Sequence, residues 1–323
     1  ASNLADDDNL VLTGDTTLIM DVERRLKSIK GDCALTVKGS ELLRIAASGH
    51  GISVKSLNSE AFLQIFASGN GLDVNQNITL TGGAFISANG NGVYSKNGMI
   101  TMSGTLSIYS DKSAIYAEYD RVVVNGNLTA ETSGSKYFCI VGNNGVSLHG
   151  GTIRISSNAN GIVSGQDIDL SGDVTVSSPD GVAINARNDS DIFIHEGSNV
   201  KATGWSGLYA GGNITVMGET LEATGTSSTA IQAHNGDIKL YGNIIATAKE
   251  NAIASDSGEV IVEGDLTAET SDSKHFCVVG NNGVSLHGGT IKISSNANGI
   301  VSGQDVDLSG DVTVSSPDGV AIN

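Results

Sequence analysis

The sequence predicts an all-β fold, a right-handed single-stranded parallel β-helix of about 13 coils, with 20–26 residues and three short strands in each coil. A 58-residue block, Leu128 to Asn185, recurs 138 residues later as Leu266 to Asn323 with five differences. A small residue followed by an aliphatic one marks every coil, and alternating residues bounded by Gly, Asn, Asp and Ser fill the intervals. Such repetition is typical of solenoids, and such alternation is typical of strands.

The marker pairs also predict which side chains fill the core. Strands of three to five residues bury their apolar side only if each pairs with its equivalent one coil away, roughly 4.8 Å along the axis. The aliphatic members of the pairs then form one inward column, which includes Ile140, Ile162, Val182, Leu208, Ile231 and Ile253.

The domain organisation follows from where the repeats begin. We expect residues 1–33 to form an N-terminal cap and the first coil, with the locally basic stretch Asp21 to Ile29 in the cap that protects the first edge strand. Residues 34–323 are predicted to be a single β-helix domain that contains the 138-residue, six-coil duplication.

The composition narrows the choice of partners. A net charge of −17 argues against nucleic acid and anionic membranes. No apolar run is long enough to span a bilayer. Cys139 and Cys277 occupy the small-residue position of their coils, and Cys33 lies one residue before it. Because CxxC spacing is absent, we expect buried thiols and no redox or metal chemistry.

Two enzymatic interpretations can be weighed on particular residues. The segment Gly49-His50-Gly51 resembles the Gly-His-Gly stretch of the polygalacturonase family, but the Asn-Thr-Asp and Arg-Ile-Lys motifs of that family are missing. Inverting hydrolysis needs two carboxyl groups, and none flanks His50. A lyase would need a basic residue beside a calcium cluster, and Arg154, with its counterpart Lys292, is the only candidate. The sequence therefore does not favour an enzyme.

Equivalent positions before the second strand predict a column of oxygen-bearing side chains, here named the oxygen ladder. It consists of Asp167, Asp191, Asn213, Asp237 and Glu259 on five successive coils, and Asp169 and Asp189 lie close to it. Stacked carboxylates repel unless a cation or solvent intervenes, and oxygen-only ligation suits Ca²⁺. We therefore expect Ca²⁺ at Asp167, Asp169, Asp189, Asp191, Asp237 or Glu259, although Asp and Asn also favour hydrated turns without an ion.

A second column points outward from the first strand and is unusually apolar. Its aromatic members are Tyr94, Tyr116 and Tyr209, and Tyr119 and Trp205 lie near the same side. Aromatic rings on a rigid surface suit stacking against sugars, so these five residues are candidate ligand-binding residues. The same strip could equally pack under loops or mediate lateral self-association.

The recurring coil, Gly-Ile/Val followed by Asp/Asn-Ile-x-Leu-x-Gly and Val-x-Val-x-Ser, resembles secreted clostridial-type carbohydrate-binding-domain β-helix proteins, within the pectate-lyase-like superfamily. The opening Leu10-Val-Leu-Thr-Gly-Asp-Thr-Thr-Leu18 is similar to the leaders of such surface proteins. The resemblance implies a non-catalytic, calcium-binding module on the bacterial surface that binds plant cell-wall or acidic, pectin-like polysaccharide. The alternative is a structural stalk or adhesin, and an enzyme is a distant third.

Overall fold

The computed structural model describes residues 7–272 and 274–323, and every regular element within those ranges is a β-strand. The strands pair in parallel and form a β-solenoid of about 14 turns, which confirms the predicted right-handed parallel β-helix. The chain divides into two compact units, Ala1–Asn158 (unit 1) and Ala159–Asn323 (unit 2).

The strands of unit 1 are β1 (Asp8–Val11), β2 (Thr16–Ile19), β3 (Arg24–Lys30), β4 (Ala34–Lys38), β5 (Leu43–Ala47), β6 (Ile52–Val54), β7 (Ser56–Ser59), β8 (Leu63–Ala67), β9 (Leu72–Val74), β10 (Ile78–Leu80), β11 (Ala84–Ala88), β12 (Val93–Ser95), β13 (Ile100–Ser110), β14 (Ile115–Ala117), β15 (Val122–Thr132), β16 (Ile140–Gly142), β17 (Val146–His149) and β18 (Thr152–Ser157).

The strands of unit 2 are β19 (Ile162–Ser164), β20 (Ile168–Leu170), β21 (Asp173–Ala186), β22 (Ile192–Ile194), β23 (Asn199–Ala210), β24 (Ile214–Val216), β25 (Thr220–Gly225), β26 (Ile231–Ala233), β27 (Ile238–Ala248), β28 (Ile253–Ser255), β29 (Val260–Thr270), β30 (Val278–Gly280), β31 (Val284–Ser295), β32 (Ile300–Ser302) and β33 (Val306–Ser315). Some long strands, such as β13, β15, β27, β29 and β31, join the second and third strands of one turn, whereas β21 and β23 join the third strand of one turn to the first strand of the next.

Equivalent strands of neighbouring turns pair without offset through most of unit 1. On the first-strand side, Leu72 lies between Ile52 and Val93, and all three side chains are fully buried. Their neighbours in the strands point outward. Period-2 alternation therefore sorts aliphatic residues into the core and leaves a continuous outer column of side chains one turn apart.

The inward column of unit 2 differs from the sequence prediction at one residue. The expected member Val182 is only partly buried, and Ile184 occupies the column between Ile162 and Leu208. The cause is an irregularity between Ser178 and Val182, where the corner around Pro179 shifts the register. The outward neighbour in that turn is therefore Asn185 and not Ala183.

The basic stretch Asp21 to Ile29, expected in a cap, supplies most of strand β3. This strand has parallel partners on both sides, β1 on one and β5 and β6 on the other. Leu26 and Ile29 of this strand are buried, whereas Arg25 and Lys27 are exposed, so these residues belong to a regular turn. Residues 1–6 of the predicted cap lie outside the described residues.

The predicted burial of the three cysteines is confirmed. Cys33, Cys139 and Cys277 are all free and buried. Burial raises the pKa of the Cys139 and Cys277 thiols to about 12. Within the described ranges, no helix is long and apolar enough to cross a membrane.

Candidate functional site

Tyr94 and Tyr116 form the centre of the candidate site in unit 1. They face outward from β12 and β14 at paired positions, and their ring centroids are 5.6 Å apart. Both rings are half-buried, while Tyr119, three residues further along, is 65% exposed. The register also aligns Ser53 and Asp73 below Tyr94 in the same outward column. We name Tyr94, Tyr116 and Tyr119 the tyrosine face.

Two carboxylates, Glu118 and Asp73, act on Tyr94 in the tyrosine face. The Tyr94 hydroxyl donates a hydrogen bond to Glu118. Burial, that hydrogen bond and the charges of Glu118 and Asp73 raise the pKa of Tyr94 well above its usual range. Burial and the Glu118 charge also raise the pKa of Tyr116. Tyr94 is therefore a neutral ring with a fixed hydroxyl at physiological pH.

An open groove of about 500 Å³ adjoins Tyr94. Its charged lining residues are two lysines and two aspartates: Lys30, Lys96, Asp32 and Asp73. The Asp73 carboxylate accepts a hydrogen bond of 2.8 Å from the Asn70 side chain, which holds it in place. The groove thus combines an aromatic wall with donors and acceptors for hydroxyl or carboxylate groups.

The remaining two aromatic candidates lie in unit 2. Tyr209 projects from β23 between Asn185 and Gln232, and Trp205, on the same strand, is 46% exposed. Neither neighbour of Tyr209 in the column is aromatic. Trp205 and Tyr209 are therefore not part of the tyrosine face, and a role in binding stays a prediction.

The oxygen ladder has the predicted alignment, and its hydrogen bonds show what it does structurally. Each of its first four side chains accepts the backbone N–H of the next ladder residue through Oδ1. The distances from the Oδ1 of one ladder residue to the backbone N of the next are 3.0 Å from Asp167 to Asp191, 2.6 Å from Asp191 to Asn213, 2.9 Å from Asn213 to Asp237 and 3.0 Å from Asp237 to Glu259. The ladder therefore satisfies backbone donors where the chain enters the second strand.

The other predicted calcium ligands have protein partners as well. Asp169 pairs with His195, Asp189 accepts a hydrogen bond from the Asn235 side chain, and Glu259 accepts one from the Ser285 hydroxyl. All six predicted carboxylates lie in the described ranges, and no three of them bring ligand oxygens within 4.8 Å of one another. Calcium binding stays a prediction.

The structure gives the residues of the enzymatic interpretations other roles. His50 Nδ1 accepts the backbone N–H of Asn70 at 3.0 Å, as Asn70 Oδ1 does for Asn91 at 2.8 Å one turn later. His50 is thus the corner residue that its position predicted. Arg154 is exposed on β18, and its paired neighbour on β15 is Thr129.

The apolar outward strip is largely covered. Val141, Val163 and Ala254 are buried, whereas Val279 and Val301 are partly exposed. The buried members are unavailable to a second chain, so little of this strip is left for lateral contact. Self-association stays a prediction.

A second set of aromatic rings in contact, which the sequence pattern did not predict, consists of Phe66, Phe85 and Tyr109 and is here named the aromatic row. They lie on the third-strand side of unit 1, with centroids 5.6 Å apart from Phe66 to Phe85 and 5.8 Å apart from Phe85 to Tyr109. Following the outward positions of the third strands would have revealed them. The groove lysines Lys30 and Lys96 were missed because they belong to different turns.

Outward aromatic rings beside fixed hydroxyl and carboxylate groups are typical of sugar-binding surfaces. The comparison with known protein families agrees. The family described as carbohydrate-binding domain-containing protein matches residues 3–180, more than half of the chain, so the chain belongs to that family. Among curated proteins and among solved structures, nothing matches the chain.

Proposed function

We propose that the protein binds polysaccharide, without cleaving it, on the tyrosine face and the adjoining groove of unit 1. The observation that carries the proposal is the contact between the tilted rings of Tyr94 and Tyr116 where Tyr94 lines an open groove with fixed polar groups. A sugar ring covers such an aromatic surface with its apolar C–H face, and its hydroxyls reach Asp73 and the lysines. Membership of the carbohydrate-binding family supports this ligand class.

We propose an acidic glycan of the pectin type as the ligand of this groove, held by its two lysines, which lie beside its two aspartates. The whole chain carries a net charge of −17, which repels a polyuronate from most of its surface. Lys30 and Lys96 line the groove and can pair with uronate carboxylates. In this groove an acidic chain would therefore meet two lysines next to the Tyr94 ring.

Calcium dependence is a separate part of the proposal. Asp167, Asp191 and Asp237 each have a second carboxylate oxygen besides the one that accepts a backbone N–H, and carboxylate oxygens suit Ca²⁺. A bound ion would relieve repulsion along the ladder and could bridge it to an acidic glycan. The lysines of the groove offer a route that needs no ion.

The alternative function, a structural stalk or adhesin of a bacterial surface protein, is favoured by the duplication. The tyrosine face lies outside the 58-residue block, and the positions 138 residues after Tyr94 and Tyr116 are Gln232 and Ala254. The repeated segment does not repeat the proposed site, so its role would be to extend reach. The two functions are compatible if unit 1 binds glycan at the end of an extracellular spacer.

The first test is retention of the full chain on immobilised polygalacturonate and uncharged plant polysaccharides, in Ca²⁺ and in EDTA. We expect retention on polygalacturonate. Loss in EDTA would assign binding to Ca²⁺ bridging, whereas persistence in EDTA would assign it to the lysine groove. Absence of retention on every polymer would contradict the proposal and leave the stalk.

The second test locates the site with Tyr94→Ala combined with Tyr116→Ala. Trp205→Ala is the matched control, because Trp205 is an exposed aromatic residue in unit 2. We expect the double variant to lose retention and the control to keep it. The opposite pattern would move the site to unit 2.

A further inference from the structure

We propose that unit 1 carries a second glycan-binding surface, the aromatic row of Phe66, Phe85 and Tyr109, which takes an uncharged polysaccharide chain. This surface goes beyond the acidic-glycan site proposed above and uses different residues. It lies on the third-strand side of the turns, whereas the tyrosine face lies on the first-strand side.

The three rings form one staggered surface across successive turns. Phe66 and Tyr109 stand opposite Ser87, one on each side of it, and Phe85 lies two residues earlier on the strand of Ser87. The rings are tilted against one another by 49° and 45° and are in contact along the row. The row therefore extends along the solenoid axis, as an extended polymer would.

The rings are not needed to fill the core. Leu63 and Ile65 supply the buried side of the Phe66 strand and are fully buried. Phe66 remains 48% exposed, and Phe85 and Tyr109 are half-buried. Covering water-exposed phenyl surface with a ligand is favourable, because it removes apolar area from water. Contiguous exposed apolar surface of this kind marks an interaction site.

The groove beside Phe66 indicates an uncharged partner. It has a volume of about 480 Å³, and none of its lining residues carries a charge. Its polar groups are the hydroxyls of Ser48, Ser68 and Ser87 and the amide of Asn89. Hydroxyl and amide groups around an aromatic ring match the hydroxyls and C–H faces of a sugar.

The groove beside Tyr109 continues the same surface and disfavours acidic ligands. It has a volume of about 300 Å³ and shares Ser87 and Asn89 with the first groove. Asp111 and Glu131 line it without any lysine or arginine. Carboxylates accept hydrogen bonds from sugar hydroxyls and repel uronates, so the surface selects a neutral glycan over an acidic one.

The test is affinity electrophoresis of the full chain in gels that contain hydroxyethyl cellulose, xyloglucan or galactomannan, with polygalacturonate as the acidic comparison. The variant is Phe66→Ala combined with Phe85→Ala, and the single Phe66→Ala serves if the double variant melts early. We expect the variant to weaken binding to at least one uncharged polymer about tenfold, as for loss of an aromatic anchor. Its binding to polygalacturonate should not change.

The converse variant, Tyr94→Ala with Tyr116→Ala, separates this inference from the proposed function. It should weaken binding to polygalacturonate and leave binding to the uncharged polymer intact. Three results would overturn the inference: no uncharged polymer retards the wild type, the phenylalanine variant binds like the wild type, or the tyrosine variant loses both ligands. A wild-type dimer that Phe66→Ala dissociates, with no glycan binding, would assign the row to self-association.

Discussion

At the scale of single residues, side-chain oxygens join one turn of unit 2 to the next. In two successive turns a glycine precedes the ladder residue: Gly212 precedes Asn213, and Gly236 precedes Asp237. The side-chain oxygen of the ladder residue one turn earlier lies against that glycine. A Cβ at Gly212 would overlap Asp191 Oδ1, and one at Gly236 would approach Asn213 Oδ1 to 2.5 Å. Glycine is thus a packing requirement at these two positions, whereas the ladder residue Asp191 follows a serine, Ser190.

This account predicts different effects for two substitutions of Asp191. Asp191→Ala leaves the Asn213 N–H without its acceptor and should lower the free energy of unfolding by about 1 kcal/mol. Asp191→Asn keeps an acceptor oxygen and removes a charge, so stability should stay within about 0.5 kcal/mol. Urea unfolding measures both. Equal destabilisation by both variants would show that the charge, and therefore a cation, matters more than the hydrogen bond.

The buried thiols should be unreactive in the folded protein. Because burial raises the pKa of Cys139 and Cys277 from 9.0 to about 12, the reactive thiolate is scarce at pH 8. We expect iodoacetamide to label neither cysteine until denaturant is added, as read by mass spectrometry. As pH rises, the thiols ionise in the unfolded chain before they ionise in the folded protein. The stability that the buried, neutral thiols contribute is therefore intact below pH 9 and is lost toward about pH 12. Labelling of either native thiol at pH 8 would refute the buried position.

At the scale of one turn, alternation decides which residues are core. Most inward columns could be predicted from sequence because aliphatic residues recur at a fixed position in each coil. The shift to Ile184 could not, because the corner at Pro179 adds residues without changing the local pattern. The positions of the ladder were predictable, but its hydrogen bonds were not, since they depend on side-chain rotamers. The aromatic row was missed because its members occupy two adjacent outward columns.

Adjacent isoleucines on β27 test the alternation directly. Ile244 is fully buried, whereas Ile245 is 37% exposed. Ile244→Ala should cost about 2–5 kcal/mol, because it removes buried methyl groups and leaves a cavity. Ile245→Ala should cost less than about 1 kcal/mol. Thermal unfolding of the two variants gives the comparison, and similar losses would mean that the strand register is wrong.

At the scale of the whole chain, the aromatic rings of both proposed binding surfaces lie outside the duplicated block. Both proposed surfaces belong to unit 1, which the carbohydrate-binding family match covers, while the second copy of the block lies in unit 2. The sequence pattern predicted the class of ligand through the outward tyrosines. It could not separate Tyr94 and Tyr116 from Trp205 and Tyr209, because only the structure shows which rings share a turn-to-turn contact.

The central claim is that the ring of Tyr94 binds polysaccharide. The most direct measurement is the dissociation constant for polygalacturonate of the wild type, Tyr94→Phe and Tyr94→Ala, determined by titration calorimetry on the full chain. We predict that Tyr94→Phe stays within about threefold of the wild type because it keeps the ring, and that Tyr94→Ala binds at least about tenfold more weakly. Wild-type affinity in Tyr94→Ala would contradict the claim.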